Sequence, residues 1–251
     1  MTESNPMPPA IPPVIPSTPR QLGDDPSERV PIPNVIVAIE AILRQPRRVM
    51  FQLRQPEAGK LIAHTLLVTV VCSLIYGVVT GTFSGGTQLW AAPVKIAVGL
   101  MISALICLPS LYIFGCLSGS QARLVEVGGL LAGMMMLMTI LLIGFAPVAW
   151  IFSQSTDSPA WMGALHLVFW FIATLFGLRF LQAGFLYSQA RSRAGFYTWV
   201  IIFVLVSLQM TTALRPIIGK SDTFLPTEKK FFVAHWSNCL GTPEKTGGQV
   251  R

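Results

Sequence analysis

Apolar residues are concentrated in five long runs between residue 61 and residue 214, and charged residues are almost absent from these runs. Each run holds roughly 18 to 30 residues, which lets an α-helix cross a ~30 Å hydrocarbon layer. A helix also satisfies its own backbone hydrogen bonds there. The pattern predicts an all-α polytopic membrane protein, a bundle of five transmembrane helices at residues 61–80, 92–117, 124–152, 159–187 and 196–214.

Short polar segments rich in glycine and serine separate the apolar runs, at residues 81–86, 118–121, 153–158 and 188–195. These residue types end helices and leave backbone groups to water. Pro109 and Pro147 lie inside the second and third runs, where each removes one helical hydrogen bond. We expect a kink at each proline rather than a functional hinge.

Composition agrees with a membrane location, because hydrophobic residues make up 52% of the chain and charged residues only 12%. The net charge of +7 comes mostly from basic residues that flank the apolar runs, so it does not indicate a nucleic-acid partner. The four cysteines form no Cys-x-x-Cys pair. We predict no metal site and no cofactor.

Basic residues near the ends of the apolar runs predict the orientation of the chain. Five of them precede the first run and are expected to bind anionic lipid headgroups: Arg44, Arg47, Arg48, Arg54 and Lys60. Arg123, Arg191 and Arg193 lie in connections on the same side, whereas the opposite short loops offer only Lys95. We therefore expect a cytoplasmic N-terminus and, after an odd number of spans, an extracytoplasmic tail at 215–251.

The two segments before the first span differ in character. Residues 1–33 contain ten of the 19 prolines and are predicted to be a disordered cytoplasmic tail with Pro-x-x-Pro matches. Residues 34–55 are predicted to be amphipathic and precede a 56–214 transmembrane domain. Their expected apolar face consists of Ile32, Val35, Ile36, Ile39, Ile42 and Leu43, followed by Val49, Met50 and Leu53. This segment either lies in the membrane interface or packs on the ends of the bundle.

The tail after the last span carries Phe231, Phe232 and Trp236, which we expect at the membrane interface or over the ends of the helices.

Three polar residues inside or at the edge of the predicted spans are candidate functional groups. Glu126 and Arg179 either form an ion pair that sets the register of two helices or reach the headgroups separately. His166 lies well inside the fourth span. It is expected to make an interhelical hydrogen bond, with a proton-carrying or metal-ligating role as the alternative.

Methionines and glycines indicate how the helices pack. Met134, Met135, Met136 and Met138 suggest copper(I) ligation, but successive helical residues point to different faces, so a packing surface is the preferred interpretation. Small residues four positions apart predict close helix–helix contacts within the bundle or in a homo-oligomer. The glycines concerned are Gly77, Gly81, Gly115, Gly119, Gly129 and Gly133.

Five predicted spans behind a proline-rich N-terminus and Pro46-Arg47-Arg48 resemble the Yip family over residues 38–212. The most similar stretch is 114–127, a glycine-rich connection into a helix that opens with Arg123 and Glu126. The chain lacks the Asp-Leu-Tyr-Gly-Pro signature of eukaryotic trafficking members. Residues 209–219 are similar to a Leu-Arg-Pro-x-x-Gly tail of bacterial membrane proteins, which implies a bacterial inner-membrane protein. The resemblance implies a topology and transfers no catalytic residue.

Motifs of enzymes are not found in the sequence. It contains no His-Glu-x-x-His, no phosphate-binding Gly-x-x-x-x-Gly-Lys and no pair of carboxylates within a span. We predict a non-catalytic membrane scaffold or accessory protein, which organises the membrane or recruits a membrane-protein partner. The alternative is a small transporter, channel or exporter subunit.

Overall fold

A computed structural model describes residues 21–86, 88–156, 158–188 and 194–213 of the chain. Within these residues all regular structure is helical, so the all-α prediction is confirmed. A short 3-10 helix, Pro26–Arg29, precedes seven α-helices of the described chain. These are α1 Val35–Arg44, α2 Pro46–Leu53, α3 Ala58–Ser84, α4 Gln88–Leu117, α5 Leu124–Ser153, α6 Pro159–Tyr187 and α7 Ala194–Ala213.

Five of these helices, α3 to α7, are long and apolar enough to span a membrane, which confirms a multi-pass membrane protein. The predicted bounds differ by four residues at the start of α4 and at the end of α3, where residues 81–84 continue the helix instead of forming a turn. Thr82 supports this last stretch, because its hydroxyl donates to the carbonyl of Val79 at 2.7 Å. The chain turns only at Gly85 and Gly86, whose φ angles of 65° and 56° favour glycine.

Helix α5 lies at the centre of the bundle. It packs between α3 and α6, while α4 covers α3 and α7 covers α4. Every residue from Gly129 to Met136 is buried, so α5 is covered on all sides at this level. The four methionines of α5 are at most 1% exposed, as the packing interpretation requires.

Three exposed tryptophans mark one end of the bundle. Trp90 near the start of α4, Trp150 near the end of α5 and Trp161 near the start of α6 are 80%, 53% and 75% exposed. Tryptophan is enriched at membrane–water interfaces because its ring is amphipathic. We call this the tryptophan end and the opposite one, which carries α1 and α2, the α1–α2 end.

Helices α1 and α2 pack against the bundle, but the buried face of α1 differs from the predicted one. Ala38, Ala41 and Ile42 are buried, whereas Ile36 is 78% and Leu43 48% exposed. The expected face was chosen from the largest apolar residues. The two alanines face the bundle because their small side chains let α1 approach its neighbours closely. In α2 the predicted residues Val49, Met50 and Leu53 are all buried.

The prediction that residues 1–33 form one disordered tail is wrong for its last part. Residues 21–33 pack on α2, and Glu28 in the 3-10 helix is only 5% exposed. Gly23, with φ 96°, lies against the ring of Phe51, where a Cβ would come within 2.6 Å of a ring carbon. Residues 1–20 and 214–251 lie outside the described residues, and with them the Pro-x-x-Pro segments and the tail containing Phe231, Phe232 and Trp236.

Replacing Gly77 with alanine should destabilise the bundle. A Cβ at this position would overlap the backbone of Pro93, whose nitrogen would lie 2.9 Å away, so α3 and α4 must separate. We expect a loss of about 1–3 kcal/mol in the free energy of unfolding in detergent micelles. Gly144→Ala is the control, because nothing lies within 4 Å of its added Cβ. A loss at Gly144 equal to that at Gly77 would contradict this packing.

Candidate functional site

The polar residues of the α1–α2 end converge on Glu126 in the first turn of α5. Its carboxylate is only 12% exposed and binds two arginines, Arg123 at 2.8 Å and Arg54 at 3.8 Å. Arg54 also donates to the carbonyl of Tyr187 at 2.7 Å, and Arg123 donates to the carbonyl of Arg54 at 3.0 Å. The group therefore ties the end of α2 to the start of α5 and the end of α6.

The position of Glu126 in its helix explains why a carboxylate is tolerated there. The first turn of a helix carries a partial positive charge, which stabilises an acidic side chain. Two guanidinium groups add their charge, and a charged group in a poorly hydrated place needs such partners. With two arginines on one carboxylate, the cluster keeps a net positive charge.

A second group fastens residues 21–33 to α2 and α6. Arg47 forms a salt bridge with Glu28, whose side chain is 7% exposed. The hydrogen bond from Arg47 to Glu28 raises the pKa of Arg47 above its usual value and keeps it charged. Arg47 donates to the hydroxyl of Tyr187 at 3.1 Å and lies over its ring at 4.9 Å.

The structure thus divides the five predicted headgroup ligands. Arg47 and Arg54 bind partners within the chain, and Arg48 donates to the carbonyls of Val30 and Pro31 at 3.0 and 2.8 Å. The folded residues 21–33 supply acceptors for Arg47 and Arg48, whereas the partners of Arg54 belong to α5 and α6. Headgroup binding by these three arginines stays a prediction.

The other two predicted ligands face outward. Within the part of the chain that the structure describes, Arg44 and Lys60 pair with the exposed Glu40 and Glu57, at 3.6 and 3.0 Å. Exposed pairs of this kind contribute little to stability. Headgroup binding by Arg44 and Lys60 stays a prediction.

Arg179 does not pair with Glu126. It is exposed on α6, two turns before the end of that helix, and its guanidinium lies 5.7 Å from the centre of the Phe176 ring. The ion pair with Glu126 is therefore not formed, and headgroup contact by Arg179 stays a prediction.

His166 and Tyr76 form a buried polar pair between α6 and α3. The Tyr76 hydroxyl lies 2.6 Å from Nδ1 of His166, and the two rings meet edge to face with centres 5.5 Å apart. This is the interhelical bond expected for His166. Among the described residues Nε2 of His166 has no partner. The pair therefore uses one of the two ring nitrogens.

Two buried residues were not candidates for a functional site in the sequence analysis. Lys95 was counted with the short loops, although the predicted span 92–117 includes it; it lies inside α4 and is 1% exposed. Trp199 of α7 is fully buried and its indole nitrogen donates to the carbonyl of Cys107 at 3.0 Å. The sequence feature that could have indicated Lys95 is a charged residue inside an apolar run.

The six predicted packing glycines do not share one role. Gly77 meets Pro93, and Gly115 meets Phe185 of α6. Gly129 makes room for Leu53 of α2, and Gly133 for Phe180 and Ile42, so this pair serves α1 and α2 as well as α6. Gly81 is buried in α3.

Gly119 does not pack between helices. It lies in the turn after α4 with φ 81°, a conformation that favours glycine.

The chain matches no family model, no curated protein and no solved structure. The Yip-family resemblance therefore stays a prediction. Within the described residues, no three His, Cys, Asp or Glu side chains are grouped so that they could hold a metal ion.

Breaking the Glu126 cluster should weaken the bundle. We expect Glu126→Gln and Arg54→Gln to be coupled by about 1 kcal/mol in a double-mutant cycle on the free energy of unfolding, because they share one interaction. Glu126→Gln and Arg179→Gln should add to within about 0.5 kcal/mol, since the two residues do not pair. Coupling to Arg179 and none to Arg54 would show that the assignment is wrong.

Removing the Tyr76 hydroxyl should also destabilise the protein. Tyr76→Phe leaves Nδ1 of His166 without its partner, and we expect a loss of about 0.5–2 kcal/mol. Tyr197→Phe is the control, because its exposed hydroxyl has only a 3.5 Å contact with Gln182. Thermal unfolding in detergent compares the two variants, and equal midpoints would contradict a stabilising Tyr76–His166 bond.

Proposed function

We propose that the chain is a non-catalytic integral membrane scaffold or accessory protein that organises the bilayer or recruits a partner at the α1–α2 end. One observation carries the proposal. The arginines and glutamates of this end bind one another and backbone carbonyls, and thereby hold residues 21–54 across α5 and α6. Polar groups used in this way build a rigid surface, which a scaffold requires.

The same proposal places this end in the cytoplasm of a bacterial cell, with the chain in the inner membrane. Support comes from the distribution of cations. Exposed Arg44, Lys60 and Arg123 lie at the α1–α2 end, and cytoplasmic ends of membrane proteins are enriched in basic residues. The resemblance to the Yip family, as a prokaryotic relative, agrees with this arrangement.

The alternative, a small transporter or channel, is favoured by the His166–Tyr76 pair. A buried histidine with an unused ring nitrogen is a candidate for proton transfer inside a membrane. The pair lies between α3 and α6.

Reconstitution and co-purification distinguish the two functions. We expect liposomes that contain only this protein to take up ions and small solutes no faster than empty liposomes. A partner isolated with the protein should remain bound to the Arg44→Gln variant and be lost from Arg54→Gln, because only the second change loosens the α1–α2 end. Solute uptake that His166→Phe abolishes would contradict the scaffold and support the transporter.

A further inference from the structure

Helix α1 lies beside the bundle rather than on top of it. Its Ile42 is adjacent to Gly133 of α5, 3.7 Å from the position that a Cβ on Gly133 would take. Gly133 is nine residues from Leu124, the first residue of α5, so about 13 Å separate them along the helix. The Glu126 cluster, by contrast, is at the very start of α5. Helix α1 therefore lies deeper in the bundle than the end of α2.

Distances along the helices from the tryptophan end estimate how deep a residue lies in the membrane. From Trp150 back to Gly133 is about 26 Å along α5 at 1.5 Å per residue, which is less than the ~30 Å thickness of the hydrocarbon layer. From Trp150 to Glu126 is about 36 Å, which reaches the headgroups. Along α6, Arg179 lies about 27 Å from Trp161, so its long side chain can reach the headgroups.

The outward face of α1 carries two large apolar residues. Ile36 and Leu43 lie on the side opposite the buried Ala38 and Ala41 and are 78% and 48% exposed. Glu40 and Arg44 are exposed on this side as well and pair with each other at 3.6 Å, so their charged ends have to reach the headgroups. Helix α3, which α1 contacts, also exposes an apolar residue, Leu67, nine residues from its start.

We propose that the outward face of α1 is a lipid-binding surface, and that Ile36 and Leu43 contact the acyl chains of the single leaflet at the α1–α2 end. Depth selects acyl chains over a protein partner, because α1 packs against α3 and α5 at a level within the thickness of the hydrocarbon layer. Helix α1 then widens the protein in one leaflet only. This last step rests on the proposed scaffold function, in which the extra width in one leaflet organises the bilayer.

A fluorescent probe measures the depth of α1. Each of Ile36→Cys, Leu43→Cys and the control Glu57→Cys is made in a chain whose four native cysteines are replaced, and is labelled with the environment-sensitive dye NBD. Glu57 is the control because its side chain is 77% exposed just before α3. The labelled proteins are reconstituted in phosphatidylcholine liposomes with phosphatidylglycerol.

We expect blue-shifted NBD emission at positions 36 and 43, with severalfold stronger quenching by shallow acyl-chain spin labels than at position 57. Position 57 should instead be quenched by aqueous iodide. Iodide quenching at 36 and 43 would overturn the proposal, because the face would then lie in water. Blue-shifted emission without quenching by spin-labelled lipid would also overturn it, since protein would cover the face. The liposomes contain this protein alone, so the result does not depend on the partner test of the proposed function.

Discussion

The arrangement of the bundle depends on the close approach of other elements to α5. A helix that is buried on all sides contacts neighbouring helices at several angles. Glycine allows these helices to approach closely because it has no side chain. Gly129 and Gly133 receive Leu53, Ile42 and Phe180, while Gly184 of α6 receives Leu130 from α5. These contacts fix both α6 and the α1–α2 segment relative to one helix. Any larger side chain on this face would displace elements that lie far apart in the sequence.

Polar contacts at the α1–α2 end fix residues 21–54 in the position that apolar packing also favours. The carboxylates of Glu28 and Glu126 are poorly exposed, and each is held by arginine. Leaving such a carboxylate without its cation costs more than the exposed pairs elsewhere contribute. The clusters therefore favour one arrangement of residues 21–54, in which the end of α2 lies at the start of α5 and α1 lies beside α5. The packing and the electrostatics select the same position.

Much of the fold could be predicted from the sequence, because hydrocarbon allows few structures. Helix α6 occupies the predicted residues, and α4 and α5 differ from their predicted bounds only at one end. The face of α1 was predicted less well, since large apolar residues on a helix can face either protein or lipid. In a soluble protein Ile36 would be assigned to the core; beside a membrane, Ala38 and Ala41 can take that place because the lipid accepts isoleucine.

The candidate site was the part least accessible to prediction. Glu126 was recognised as important, but its partners are separated from one another along the chain, and Arg54 lies 72 positions before it. No local pattern favours Arg54 over Arg179. The contacts of Glu28 were missed because a proline-rich composition describes the whole N-terminal segment and conceals a short folded part. The buried Lys95 and Trp199 depend on neighbouring helices in the same way.

The central claim is that five crossings place the two ends of the chain on opposite sides of the membrane, with α1 and α2 on one side. Labelling by an impermeant maleimide in sealed vesicles tests it, with Glu57→Cys as one reporter and native Cys239 as the other. The remaining cysteines are replaced, and each reporter is measured alone. The account predicts that one reporter reacts in sealed vesicles and the other only after the membrane is opened. Reaction of both from the same side would contradict it.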